Sequence, residues 1–254
     1  MKKIIFAIAL GAMFSVGTAF AQEEKSTMFN GSTNLQIFHD FSADRQYCTA
    51  TLEGFYMDPW GDTFFFIDYD FTDKATRNQD IYGPMGSYME ISRSINFWKN
   101  SALGALSAHV EYNGGIGFGA KNWLFGANYG LHSADYKNIF TFELMYKTFD
   151  KNAASSDCPL QFTFVWGMDD LFGLPGLRFS GFIDVWGENT VNWAEDMSKS
   201  GKWIFLSEPQ LWYNIGRHWG MDNLNIGGEV EFSYNFAGYN GFKCRPCLGA
   251  KWVF

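Results

Sequence analysis

Charge is scarce in this chain, and positive charge scarcest. Charged residues make up 18% of the sequence, below the common quarter, and 19 Lys and Arg stand against 27 Asp and Glu, a net charge of −8. Binding nucleic acid requires Lys and Arg to neutralise phosphates, so no nucleic-acid partner is expected. Histidine is equally sparse: His39, His109, His132 and His218 are scattered, with no metal-ligand spacing among them. No cofactor and no metal is expected. Long apolar runs are missing as well. The one such run, Ile4 to Val16, is interrupted only by Ser15. It follows Lys2 and Lys3 and precedes Ala19-Phe20-Ala21, the layout of an export leader cleaved before Gln22. The run is shorter than the roughly 20 residues a membrane-spanning helix needs, which argues against a retained anchor. The expected domains are a leader, 1–21, and one folded domain, 22–254. Past the leader no window suits a membrane helix, and mean hydropathy is only −0.16.

What the chain has in abundance is aromatic side chains, 19% of all residues. With little charge and no apolar block, these must alternate with polar residues, the pattern of strands with one greasy and one wet face. Residues 224 to 236 are the clearest case. Leu224, Ile226, Gly228, Val230, Phe232, Tyr234 and Phe236 share one face; Asn225, Gly227, Glu229, Glu231, Ser233 and Asn235 share the other. Such a length is unusual in a soluble sheet and suits a tilted crossing of a hydrocarbon layer. The pattern predicts strands near 31–41, 46–57, 62–72, 86–98, 102–113, 120–131, 137–149, 159–170, 176–188, 202–214, 224–236 and 242–254. Apolar sets such as Phe140, Phe142, Leu144 and Tyr146, or Leu160, Phe162, Phe164 and Trp166, mark outward faces.

Twelve antiparallel strands joined alternately by short and long connections predict an all-β fold, a transmembrane antiparallel barrel in the outer membrane of a Gram-negative bacterium. Its termini would both be periplasmic. Short turns at Asp58-Pro59-Trp60-Gly61, Lys99-Asn100-Ser101, His132 to Tyr136 and Leu171 to Pro175 fall at that end, with a longer one at Gly216 to Asn223. Longer segments near 73–85, 150–158 and 189–201 fall at the other. Trp60, Trp98, Trp123, Trp203, Trp219 and Trp252 sit near strand ends, where aromatic girdles meet lipid headgroups. Alternate apolar residues and a terminal Phe254 close the last strand.

Alternation also assigns the lumen. Phe64, Phe66, Asp68 and Asp70 lie inward on the third strand, and Tyr88, Glu90, Ser92 and Ser94 on the fourth. Phe182, Asp184, Trp186 and Glu188 lie inward on the ninth, and Glu208, Gln210, Trp212 and Asn214 on the tenth. Glu53, Glu111, Glu143, Glu229 and Glu231 join them, with Arg178, Lys147 and Lys251 as partners. Such residues either contact a passing solute or pack against one another as wall. Inward acids outnumber bases, so the lumen disfavours anions. Cys48, Cys158, Cys244 and Cys247 map to the outer rim, where the compartment permits disulfides, and a bridge between Cys48 and the last strand is the expected role. Ser107, His109 and Glu111 alternate on one inward face, the minimal requirement for an outer-membrane lipid-modifying enzyme. Packing within the lumen wall is the favoured account of these three residues, so no enzyme is expected.

Several segments resemble the nucleoside-specific channel-forming porins (Tsx-like). These are Thr51-Leu52-Glu53 with the turn at Asp58 to Gly61; Asp68-Tyr69-Asp70; Gly86-Ser87-Tyr88-Met89-Glu90-Ile91; and Asp170-Leu171-Phe172-Gly173 followed by Leu177 to Phe182 and Trp186-Gly187. They occur in that family's order over about a third of the chain. The resemblance implies a monomeric twelve-stranded channel, surrounded by outer-membrane lipid, that passes nucleosides passively along paired aromatic and ionisable side chains. A base stacks on an aromatic ring for roughly 1–3 kcal/mol, and a carboxylate accepts from ribose hydroxyls. A non-transporting structural barrel is the alternative.

Overall fold

The computed structural model describes residues 30–72, 83–116, 121–150, 154–192, 194 and 196–254. The expected leader, 1–21, lies outside the described residues, as does most of the connection expected at 73–85. The strands are β1 (Asn30–Asp40), β2 (Cys48–Asp58), β3 (Gly61–Thr72), β4 (Gly83–Ile95), β5 (Leu106–Ile116), β6 (Asn122–His132), β7 (Asn138–Lys147), β8 (Leu160–Asp169), β9 (Leu177–Val191), β10 (Ser200–Ser207), β11 (Gln210–Tyr213), β12 (Leu224–Tyr234) and β13 (Phe242–Val253). Among the described residues there is no α-helix, only single 3₁₀ turns at Leu171–Gly173 and Gly216–Trp219.

Each strand pairs antiparallel with its neighbour, and β1 pairs with β13 from Asn34↔Val253 to Asp40↔Cys247, which closes the ring. The thirteen labelled strands form twelve staves. Ser207 pairs with Phe232 and Gln210 with Glu229 in one unbroken register, so β10 and β11 are a single stave. Pro209 interrupts it because proline brings no N–H to the ladder. The Glu208 N–H to Phe182 carbonyl bond (3.2 Å) and the Val230 N–H to Pro209 carbonyl bond (3.1 Å) carry the pairing across the gap.

Polarity is inverted relative to a soluble protein. Gln36, Asn113, Glu143, Lys147, Gln161, Glu231 and Arg245 are buried, while Ile37, Phe125, Leu144, Phe162 and Leu248 are exposed. The hydrophobic effect drives apolar side chains out of water, so such a wall is matched to lipid outside and polar groups within. Phe142 and Phe164 stack at 4.8 Å between ring centroids, and Phe164 and Trp166 at 5.7 Å, on the outer surface. All six expected girdle tryptophans are exposed: Trp60, Trp98, Trp219 and Trp252 at the end with the C-terminus, Trp123 and Trp203 at the other.

Differences from the expected boundaries have local causes. The fifth strand begins at Leu106, because consecutive turns (Ser101 N–H to the Trp98 carbonyl, Gly104 N–H to that of Ser101) occupy the segment before it. At the β2–β3 turn the Asp58 carboxylate accepts from the Trp60 and Gly61 N–H groups at 2.7 and 3.1 Å. A Cβ on Gly61 would lie 2.0 Å from the Ser94 carbonyl oxygen, so only glycine lets β3 leave the turn beside β4.

Candidate functional site

Residues directly opposed in an antiparallel ladder point to the same side. One row therefore runs Asn34–Glu53–Phe66–Glu90–Asn113 around the inner wall from β1 to β5. Every expected lumen residue on β2, β3, β4, β9 and β12 takes its expected face. Asn34 donates to Glu53 (2.9 Å), Thr51 to Asp68 (2.6 Å) and Thr49 to Asp70 (2.7 Å). Phe64 and Phe66 lie 6.0 Å apart, Phe66 and Tyr88 5.9 Å apart, and the Tyr88 hydroxyl donates to Glu90 at 2.6 Å. Phe182 lies inward next to the Pro209 break, where its carbonyl accepts from the Ser207 hydroxyl at 2.8 Å.

Opposite lies a second set. Trp186 donates to Glu188 at 2.7 Å, and Lys147 Nζ stands 4.1 Å above the indole while donating to Gln161. Asp184 accepts from Thr163. Trp212 donates to Gln210 (2.9 Å), which donates to Glu229 (2.8 Å), and Lys251 Nζ lies 4.2 Å over that indole. Phe38 reaches Trp212 from β1 with centroids 5.4 Å apart, although β12 and β13 separate their strands along the wall. The lumen is accordingly narrow and well filled: Gln36 is 0% exposed, and Trp212, Ser94 and Arg245 are each 1% exposed. Arg178 pairs with Asp169 at 2.6 Å near the C-terminal rim. Asn214 does not line the lumen; it holds the β11–β12 turn by donating to the Asp222 carbonyl at 2.6 Å and accepting from the Arg217 N–H at 3.0 Å.

At the opposite rim the β1–β2 connection, 41–47, folds inward. Arg45 reaches Glu231 at 2.7 Å and Asp40 at 3.9 Å. Arg245 binds Glu231 at 2.6 Å and Asp44 at 2.8 Å, and its guanidinium packs 4.7 Å over Tyr239. Partial burial opposes ionisation of Asp44, but the hydrogen bond and charge of Arg245, with help from Ser42, hold its carboxyl down at about 2. Sequence reasoning missed both arginines. Arg245 shares the parity of Lys251 and was open to the same argument, whereas Arg45 lies off the strand lattice.

The enzyme-like grouping is rearranged. Ser107, His109 and Glu111 all face the lumen and are buried, but the hydroxyl beside His109 is that of Ser94, 3.2 Å from Nδ1. Neither group faces the outer wall, where a lipid ester in the bilayer would lie. The expected bridge at the outer rim is also corrected: all four cysteines are free. Cys48 pairs with His39 on the outward face, whereas Cys247 pairs with Asp40 on the inward face, so their side chains diverge. Cys244 sits beyond the last β1–β13 pair.

Closure, inverted polarity and girdles define a twelve-stranded barrel of the outer-membrane class. The chain belongs to the family described as Domain of unknown function (DUF5020), whose model matches residues 32–254. None of the curated proteins matches it. Among solved structures, it is similar to the outer membrane phospholipase OMPLA of Salmonella typhi, a dimer with bound calcium (TM-score 0.53, 11% identity, 93% of this chain and 96% of that one). It is also similar to the KdgM porin (TM-score 0.48, 10% identity, 88% and 99%) and to OccAB2 of Acinetobacter baumannii (TM-score 0.42, 13% identity, 91% and 66%). At these identities the likeness concerns the fold.

Proposed function

We propose that this protein is an outer-membrane channel for passive, weakly selective diffusion of small hydrophilic solutes. The supporting observation is the inner wall, which carries ionisable groups along its length, interspersed with buried apolar side chains such as Phe38, Leu124, Met145 and Ile204. Acids predominate on it: Glu53, Asp68, Asp70, Glu90, Glu111, Glu143, Asp184, Glu188, Glu208, Glu229 and Glu231 face Arg45, Lys147, Arg245 and Lys251. Cations and neutral solutes pass in preference to anions.

Nucleosides are the finer proposal. The Phe66–Tyr88–Glu90 grouping offers a ring face beside a carboxylate. Trp186 and Trp212 are less available, because lysines already cover their faces. The test is single-channel conductance of the refolded protein in a planar bilayer, with nucleosides titrated in. Saturable block by adenosine or thymidine, and none by a sugar, supports the nucleoside reading; conductance without block leaves a channel of other cargo. The burial of Gln36, Trp212 and Arg245 favours a second reading, a structural barrel filled by its own side chains. Absence of conductance selects it.

A further inference from the structure

His109, Glu111 and Glu143 converge inside the lumen. Each offers one ligand atom, and these atoms lie within 4.8 Å of one another. His109 Nε2 is 3.5 Å from Glu111 and 3.8 Å from Glu143. The histidine is only 6% exposed, and its Nε2 has no hydrogen-bond partner. A buried ring nitrogen that stands between two carboxylates without a hydrogen bond to either requires an explanation.

The other ring nitrogen supplies part of it. Asn128 Nδ2 donates to Ser94 Oγ at 2.7 Å, and Ser94 Oγ lies 3.2 Å from His109 Nδ1. With Nδ1–H donating to that oxygen, Nε2 points at the two acids and carries either a proton shared with them or a metal ion. A proton there leaves both contacts, at 3.5 and 3.8 Å, longer than a good hydrogen bond, whereas a dication between the three groups bonds all of them. The two Nε2 spacings, 3.5 and 3.8 Å, are close to what zinc needs: Zn–N and Zn–O bonds of about 2.0–2.1 Å at a tetrahedral angle put neighbouring ligands roughly 3.4 Å apart. Glu143 comes from β7, two staves from β5. Between them β6 presents Gly126 opposite His109, so no side chain blocks the approach. A Cβ at Gly126 would lie 2.0 Å from the Leu144 carbonyl oxygen.

We propose that His109, Glu111 and Glu143 form a lumenal site for a divalent metal of the zinc class, with Ser94 and Asn128 orienting the imidazole. One nitrogen and two carboxylate oxygens suit a borderline ion, and a dication balances two carboxylates whose neighbouring cation, Lys147, is engaged with Gln161 and Trp186. Further coordination positions are left to water. The site joins β5 to β7 and stands whether or not solutes pass.

The test is zinc binding by the folded, chelator-stripped barrel in detergent micelles, by calorimetry against a competing chelator. One equivalent is expected. His109→Ala and Glu143→Gln remove saturable binding, Ser94→Ala weakens it about tenfold or more by freeing the ring, and Asp157→Asn on an exposed loop leaves it unchanged. Folding of each variant is checked by its heat-dependent gel mobility. X-ray absorption of zinc-loaded wild type decides the matter independently of any variant: nitrogen and oxygen scatterers with an imidazole signature support the site, and sulfur scatterers place the ion at the cysteines and overturn it. No saturable binding by wild type, or binding unchanged in both ligand variants, overturns it as well.

Discussion

Replacing Arg245 by methionine removes the most deeply buried cation of the outer mouth. The guanidinium is directly opposite Glu231 in the β12–β13 ladder and bonds it at 2.6 Å, while Nη2 and Nε reach Asp44 at 2.8 and 3.2 Å. Deleting one partner of a buried pair costs about 3–5 kcal/mol, because the other charge is stranded in a poorly solvated place. Here Glu231 is only partly stranded: Arg45 remains at 2.7 Å, and the Ser233 hydroxyl donates at 2.8 Å. Asp44 is 28% exposed and recovers water, so its half of the interaction is worth about 1 kcal/mol or less. Arg245→Met should therefore lose roughly 2–3 kcal/mol, below the full range for a buried pair. Urea unfolding in detergent micelles, followed by tryptophan fluorescence and gel mobility, measures it. The cycle with Asp44→Asn should give a small coupling, and the cycle with Glu231→Gln a large one. A variant within 0.5 kcal/mol of wild type, a change ordinary for exposed surface positions, would refute the argument that this mouth is held by buried charge.

Asp44 also gives a pH signature. Its folded-state carboxyl is depressed to about 2 from 3.8, so its contribution is complete above the unfolded value and is lost as pH falls from about 4 through 2. After allowance for solvent at the rim the loss is about 1 kcal/mol, and an Asp44→Asn barrel should lack that part of the acid destabilisation in matched urea titrations. Arg45→Ala withdraws a positive side chain from the acidic mouth. Single-channel conductance should rise, and the reversal potential in a salt gradient should move towards cation selectivity; unchanged values would mean that the narrowest part lies elsewhere. Leu144 is 60% exposed on the outward face of β7, so Leu144→Arg should cost about 2–4 kcal/mol in lipid vesicles, against about 0–1 for a residue at the interface. An equal cost at Tyr146, nearer the Trp123 girdle, would contradict the depth assigned to this wall.

What the sequence makes legible is parity, and parity is nearly the whole of a closed barrel. Once Asn225, Glu229, Glu231 and Ser233 alternate with Ile226, Val230, Phe232 and Tyr234, a period-two strand has no other way to place them at a water–lipid boundary. The same rule puts Glu53, Phe66 and Glu90 on the inner face before any pairing is known. Register is a different quantity. Nothing local says that Glu90 stands beside Asn113, or that His109 is next to Ser94 and not limited to Ser107 on its own strand, because ladder offsets are set by turns such as Asp58–Gly61 and by closure between β1 and β13.

Two kinds of feature therefore escape. One consists of residues off the lattice, such as Arg45, whose inward course depends on how a seven-residue connection folds over the mouth. The other consists of contacts diagonal to the ladder, such as Glu143 with His109, which are made across the side-chain-free position at Gly126. Cys48 and Cys247 mark the limit from the other side. Their shared position at the rim was legible, but β1 lies between their strands, and the one-residue difference in parity relative to His39 and Asp40 turns the two thiols to opposite faces. Proximity along the barrel axis is thus a weak predictor of contact unless parity agrees. Applied to the lumen, that condition selects inward ionisable groups that are neighbours on one face: Glu231 with Arg245, directly opposed in the ladder, and Glu111 with His109, two residues apart on β5. These are the places where substitution should have effects beyond those of wall packing.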